Sequence, residues 1–477
     1  MGTPRSISLA GPSDNWLTGW GSFLLWAAFG FGLLLILMIT LKASWLIPVV
    51  PVVFLVGIAG LWLFTKPLLN LTVVLCLFVL IADFEEGIQL TEVIYGLYYL
   101  SFLAHWFFTR WILEGKRIFS RHEDRLLLTF LVLVVLSLPL TMIMGGSIKG
   151  YIGELISLSL LTFYFPVKDA VERYPSGLKV MVGVVLFVGL FVLTRNMLGY
   201  RQILTDASYA WEVTRGRVVT NEGLLMVPAF FSLSSMLFVK GTKQKVIIAG
   251  FLSLYLGGLM LTQSRGYWAA FLFGSGILFL LIPLQKKIQM VSTGLLIGFS
   301  LLGLALLFFG DFVILIVSGL LDRFLSIATA SSKDISLVNR LIETGAVWDK
   351  IKFNPILGYG MGVPYRVFDI IYDWSKVKAF VHNGYISLWF KFGIWGPTLF
   401  FSFLGITLRR GYLVIKKSEN WQLPSIVCLA VIGSFAAFSI SALTSNPFYI
   451  NDPMFIFAVM TGLVGGSYSL HRRSVRI

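Results

Sequence analysis

Leu126-Leu127-Leu128-Thr129-Phe130-Leu131-Val132-Leu133-Val134-Val135-Leu136-Ser137-Leu138-Pro139-Leu140-Thr141-Met142-Ile143-Met144 carries no charge and is entered through Glu123, Asp124 and Arg125. As a helix rising about 1.5 Å per residue, such a run matches the hydrocarbon thickness of a bilayer, roughly 30 Å. It has no polar face to turn towards water, so lipid is its natural surrounding. Comparable runs recur along the whole chain. With 126–144 they place spans at 21–41, 45–64, 67–83, 91–109, 150–166, 177–196 and 223–239, then at 246–262, 267–284, 288–309, 385–408, 423–444 and 453–469.

The chain therefore reads as an all-α polytopic membrane protein with about 14 transmembrane helices. It forms a single integral membrane domain over residues 1–477. Composition agrees: of 477 residues 57% are hydrophobic and only 13% charged, with 41 Phe and 14 Trp. Soluble domains carry roughly 25% charged residues. An ordinary soluble enzyme, a disordered chain and a disulfide scaffold are excluded. Cys76 and Cys428 lie inside apolar runs and read as small hydrophobes. Arg5 is followed by Gly, Ser, Asp and Asn rather than a leader pattern, and the run 21–41 is expected to stay in the membrane.

The net charge of +15 has a membrane explanation and needs no nucleic acid. With the N-terminus inside, the inner segments hold 22 Lys and Arg, including Arg110, Lys116, Arg117, Arg121 and Arg125 in one loop. The short outer loops hold Lys42, Lys149 and Arg265 alone. Short loops decide orientation, so both termini are expected in the cytoplasm of a multi-pass protein. Two outer segments are long, 195–222 and 310–384. Phe312–Ala328 is apolar but contains Asp322 and Arg323, and is expected to extend a span or lie on the surface. Val367, Ile370, Ile371, Trp374 and Val377 form a stripe at helical spacing, which predicts an amphipathic helix on the membrane surface.

Basic groups on the outer face run against the orientation signal and suit anion binding, because guanidinium forks match phosphate oxygens. Arg265, in the tight turn Thr262-Gln263-Ser264-Arg265-Gly266, fits either that task or snorkelling to headgroups. Arg215 and Arg217 precede the span that starts at Asn221-Glu222-Gly223. Of four histidines, His105, His122, His382 and His471, only His382 sits at the outer face. Imidazole takes and gives protons near neutral pH, so His382 is the candidate general base. Asp83-Phe84-Glu85-Glu86 reads as a solvated acidic turn rather than a metal site. Glu92 and Glu154 read as polar contacts rather than a proton path. Gly358, Gly360 and Gly362 lack the strand–turn–helix context of a phosphate loop.

Three segments carry a resemblance. Phe380-Val381-His382-Asn383-Gly384-Tyr385-Ile386-Ser387-Leu388 with Lys391-Phe392-Gly393-Ile394-Trp395-Gly396 resembles the His-Asn-x-Tyr-Leu and Gly-Ile-x-Gly signature of the O-antigen ligase and polymerase superfamily, with Ile386 in place of Leu. Asn339-Arg340-Leu341, Trp348 and Asn354-Pro355-Ile356-Leu357-Gly358-Tyr359-Gly360 resemble its Arg…Trp…Pro-x-x-Gly-x-Gly segment. Ser264-Arg265-Gly266-Tyr267-Trp268 resembles its Ser-Arg-Gly-x-Trp turn. Together they cover about residues 215–400.

The resemblance implies a GT-C-like enzyme of the bacterial inner membrane with its active site on the periplasmic face. It would use an undecaprenyl-pyrophosphate-linked glycan and a lipid acceptor such as lipid A-core, without metal or other cofactor. His382 would be the base, with Asn383 and Tyr385 supporting it. Arg265 would bind the donor pyrophosphate with one of Arg215 or Arg217, and Arg340 is a weaker candidate for the same task. A ligase and a polymerase of lipid-linked repeat units both fit these residues. A lipid-linked sugar flippase would place its charges along a central pathway instead.

Overall fold

Chains whose runs have no polar face satisfy their backbone polar groups within helices, and helix dominates this structure. The computed structural model describes residues 49–81, 89–206, 221–262, 264–309, 335–370, 372–418 and 421–475. In the first half lie α1 (Val49–Phe64), α2 (Pro67–Ile81), α3 (Leu90–Phe107), α4 (His122–Leu136), α5 (Leu138–Ile143), α6 (Ile148–Ser159), α7 (Tyr164–Arg173) and α8 (Gly177–Asp206). Then come α9 (Glu222–Phe238), α10 (Thr242–Leu261), α11 (Arg265–Leu281), α12 (Leu284–Phe309) and α13 (Ile335–Phe353). A hairpin of β1 (Tyr365–Asp369) and β2 (Trp374–Lys378) precedes α14 (Gly384–Phe392), α15 (Trp395–Lys416), α16 (Leu423–Ser441) and α17 (Asn451–Val475).

Residues 1–70 form one unit, in which α1 and the first turn of α2 are described. The rest of the fold is the second unit, residues 71–477. Among the described residues, seven helical stretches are long and apolar enough to cross a membrane: 122–143, 148–173, 177–199, 242–261, 395–416, 423–441 and 451–473. Shorter apolar helices cover 67–80, 222–238 and 265–281. The chain is thus a mostly helical membrane-protein fold. The expected span 21–41 and the start of 45–64 lie outside the described residues, as do Phe312–Ala328 and Asp83–Glu86. The other expected spans all fall on helix, and seven of these helical stretches reach crossing length and hydropathy among the described residues.

The helices α16 and α17 form the core of the second unit. Along α17, Met454, Phe455, Ile456, Phe457, Ala458 and Val459 are all buried, enclosed by α7, α15 and α16. Small residues allow this closeness in a helix pair, where apolar attraction to lipid and to protein is alike. Gly274 of α11 lies against the Gly433 carbonyl and Ala437 of α16.

Two expectations about the outer loop are overturned. The stripe from Val367 to Val377 is a β-hairpin, with Tyr365 opposite Lys378, Val367 opposite Lys376 and Asp369 opposite Trp374. Along β1, Tyr365, Val367 and Asp369 face inward and Arg366 and Phe368 outward. Asp373, with φ of 55°, turns the chain where a helix would have continued. The span 385–408 is also interrupted. α14 ends at Gly393, whose φ of 59° and ψ of −159° belong to glycine, and α15 starts afresh at Trp395.

Candidate active site

The segment from α13 to α14 builds a small core of its own, and that core positions the site. Val347 and Ile351 of α13, Tyr365 and Val367 of β1, Val381 from the segment before α14 and Phe390 of α14 pack together, all buried. Glycine docks the preceding turn against this core. Gly358, with φ of 74°, runs so close that a Cβ there would lie 2.4 Å from the Gly393 nitrogen. Ile394 N–H donates to the Pro355 carbonyl at 2.9 Å, and Tyr359 N–H to the Phe390 carbonyl at 2.8 Å. The glycine run is therefore a backbone seat for the loop.

From this frame His382 emerges beside a carboxylate. The Glu343 carboxylate, 3% exposed on α13, accepts the His382 backbone N–H at 2.7 Å and lies 3.0 Å from its Nδ1. Lys378 of β2 reaches the other Glu343 oxygen at 3.3 Å. Burial pushes the Glu343 carboxyl up. The bonds from the His382 ring and backbone, with the positive charge of Lys378, outweigh it and hold the group below the usual carboxylate range. Tyr365, buried nearby, donates to the Phe380 carbonyl at 2.8 Å, and its hydroxyl is pushed up by burial and then by the charge of Glu343. A proton held on Nδ1 by a carboxylate leaves Nε2 with its lone pair. The His382 side chain is 35% exposed, so that nitrogen has a way out.

A second frame comes from the turn between α16 and α17. The Gly384 N–H donates to the Ala442 carbonyl at 2.9 Å and the Ser445 carbonyl at 3.2 Å, and Asn446 donates to the Val381 carbonyl at 2.7 Å. Residues on both sides of His382 are thus clamped. Arg340, one helical turn before Glu343, donates from Nη1 to the Thr444 carbonyl at 2.5 Å in the same turn. Gly266, next to Arg265 in the first turn of α11, faces the Thr444 hydroxyl. His382, Arg340 and the segment carrying Arg265 therefore share one end of the helices, and Arg265 is half-buried there. Arg215 and Arg217 lie outside the described residues.

The two supporting residues act on the backbone. Asn383 caps α14 by accepting the Ile386 N–H at 3.1 Å. Tyr385 donates to the Ser439 carbonyl at 2.8 Å and packs its ring on Phe401 and Phe448.

Glu154, expected to make a polar contact, forms an ion pair with the fully buried Lys391 of α14. Lys391 also donates to the Ala379 carbonyl at 3.0 Å, three residues before His382. Glu92 closes the start of α3 by accepting the Gln89 N–H at 3.2 Å. Glu343, Lys378 and the Thr444–Asn446 turn escaped the sequence reading. The available signal for Glu343 was an acid one helical turn after Arg340, on a basic outer loop.

Residues 250–401 match the family model described as O-antigen ligase. That match supports the O-antigen ligase and polymerase superfamily. All three resembling segments, Ser264–Trp268, Asn339–Gly360 and Phe380–Gly396, fall within the ligase-family stretch, and so does Glu343. The Thr444–Asn446 turn and the positions of Arg215 and Arg217 lie beyond it. No curated protein matches the chain. The family supports an enzyme embedded in a membrane and related to O-antigen chemistry.

Proposed function

We propose that this chain is an O-antigen ligase-type glycosyltransferase. It moves a glycan from an undecaprenyl-pyrophosphate donor to a hydroxyl of a lipid acceptor such as lipid A-core, at the periplasmic face of the inner membrane, without a metal. The observation that carries the reading is the buried Glu343 carboxylate against His382 Nδ1, which supports His382 Nε2 as a base.

In this reaction Nε2 takes the acceptor hydroxyl proton as the oxygen bonds to the anomeric carbon of the donor sugar. The bond from that carbon to the pyrophosphate oxygen breaks, and undecaprenyl pyrophosphate leaves with the electron pair. Negative charge grows on the leaving oxygens, where fixed guanidinium groups stabilise it more than they stabilise the ground state. Arg265 fills that role, aided by Arg340 and by one of Arg215 or Arg217. Asn383 and Tyr385 hold the histidine loop.

The test uses purified protein and an undecaprenyl-pyrophosphate-linked glycan, first alone and then with lipid A-core, resolved by size on a gel. A single shifted product that requires lipid A-core supports the ligase. A ladder from the donor alone overturns it in favour of a polymerase joining lipid-linked repeat units, which uses the same residues. No product under either condition rejects transferase activity.

A further inference from the structure

A separate cluster of charge lies at the far end of the helices. Asn451, at the start of α17, follows the turn that clamps His382, whereas Ser469 accepts a hydrogen bond from Arg121. Eighteen residues of helix separate the two, about 27 Å. Around Arg121, a pocket is formed between the end of α3, the loop that follows it, and α7. Its walls include Trp106 and Phe165 as well as Arg110, Lys116, Arg117 and Lys168.

Most of these cations are already committed to carboxylates. Arg110, 4% exposed, grips Asp169 with two nitrogens, at 2.6 and 2.5 Å, and pairs with Glu114. Lys168 donates to Asp124 at 2.5 Å, and Arg121 meets Glu172 at 3.3 Å. Lys116 shares Asp169, and Arg173 reaches Glu114 at 3.0 Å. Six cations therefore face four carboxylates once Arg117 is counted, since Arg117 lines the pocket and pairs with no carboxylate among the described residues. The network keeps an excess of two positive charges: Arg117, and one more from Arg110, Lys116 and Arg173 sharing only Asp169 and Glu114; Arg117 and Lys116 both line the pocket.

We infer that this pocket binds a phosphate group, with Lys116 and Arg117 as its direct donors and the ion-paired arginines as a fixed scaffold. Basic pockets between membrane helices suit the phosphates of anionic lipid headgroups. The neighbouring π-helical turn Phe108–Leu113 exposes Phe108, Trp111, Ile112 and Leu113, an apolar patch on which acyl chains can lie. A free phosphate offers the same oxygens without the chains. The site is separate from the glycan-transfer reading and stands whether or not that reading holds.

The experiment titrates full-length protein in detergent with phosphatidylglycerol, phosphatidylcholine and inorganic phosphate in turn, counting bound molecules by native mass spectrometry. Phosphatidylglycerol should be retained over phosphatidylcholine. Arg117→Ala should weaken it about fivefold, the factor equivalent to roughly 1 kcal/mol per basic residue, and Lys116→Ala/Arg117→Ala should bring it to the phosphatidylcholine level. Arg117→Lys should keep most of the binding, and all three variants should melt with the wild type in lipid-free detergent. If inorganic phosphate binds and displaces the lipid in an Arg117-dependent way, the phosphate alone is recognised. If only the lipid binds, the headgroup with its chains is the ligand. Equal retention of the two lipids with no phosphate bound, or retention unchanged in the double variant, overturns the assignment.

Discussion

Glu343 contacts His382 twice, through the backbone N–H at 2.7 Å and through ring Nδ1 at 3.0 Å. The first bond fixes where the residue sits and the second fixes how its ring is turned. A single carboxylate 39 positions upstream thereby holds both the backbone and the ring of His382.

Removing the base itself is the first test. His382→Ala should lower transfer by about 10²–10⁴-fold, the range of a positioned general base. Thermal unfolding in detergent should drop only modestly, because Lys378 and the backbone N–H of residue 382 still face Glu343. Activity within a few-fold of wild type would remove His382 from the reaction.

Glu343→Gln separates positioning from folding. A glutamine amide donates to Nδ1 and so favours the tautomer with its proton on Nε2, the wrong one for a base. Turnover should fall on the order of 10²–10⁴-fold while the KM for the donor hardly moves. A change confined to KM would assign Glu343 to substrate binding instead.

The same carboxyl makes a statement about acid. Its folded value is depressed below that of the unfolded chain, ordinarily about 4.3. Its contribution to stability is therefore present above that pH and is lost as pH falls through the folded value. Wild type should lose melting temperature more steeply than Glu343→Gln as pH falls below about 4.3. Parallel curves would show that the His382 and Lys378 contacts contribute little to stability.

Arg265→Lys keeps the charge but loses the planar fork. Turnover should drop by about tenfold or more if two phosphate oxygens are held at once. Turnover equal to wild type would mean that the arginine only reaches to headgroups.

Lys391→Met leaves Glu154 half-buried and unpaired, which should cost roughly 3 kcal/mol. Pairing it with Glu154→Leu should recover most of that loss, and a double-mutant cycle on chemical unfolding measures the coupling. Additive single effects would show that the pair is dispensable.

Much of this site could be read from the chain, and the gaps have physical causes. His382 stood out because histidine is scarce here and this one borders a span. Arg265 stood out because a two-helix turn leaves no room for it away from the boundary. Glu343 did not, since nothing local marks which of several loop acids will meet a histidine 39 residues away. The hairpin was read as a helix because Val367, Ile370, Trp374 and Val377 fall at helical spacing, and the left-handed Asp373 that reverses the chain leaves that spacing intact. The turn at Ala442–Asn446 works mainly through backbone carbonyls, which every residue possesses and no sequence pattern advertises. Apolar composition does not show where a helix stops, as at Gly393, so it marks apolar runs better than it marks helix ends.

The clamp on His382 also sets an order of events during synthesis. The carbonyls of Ala442 and Ser445 and the amide of Asn446, which fix the backbone around the histidine, are translated some 60 residues after it. A nascent chain that has already inserted α13, the hairpin and α14 still lacks its second frame. The histidine is locked into place only when the last pair of helices has entered the membrane. A chain that stops before the second of those helices thus carries His382, Glu343 and Arg340 but lacks the contacts from Asn446 and the Thr444 carbonyl that hold them together.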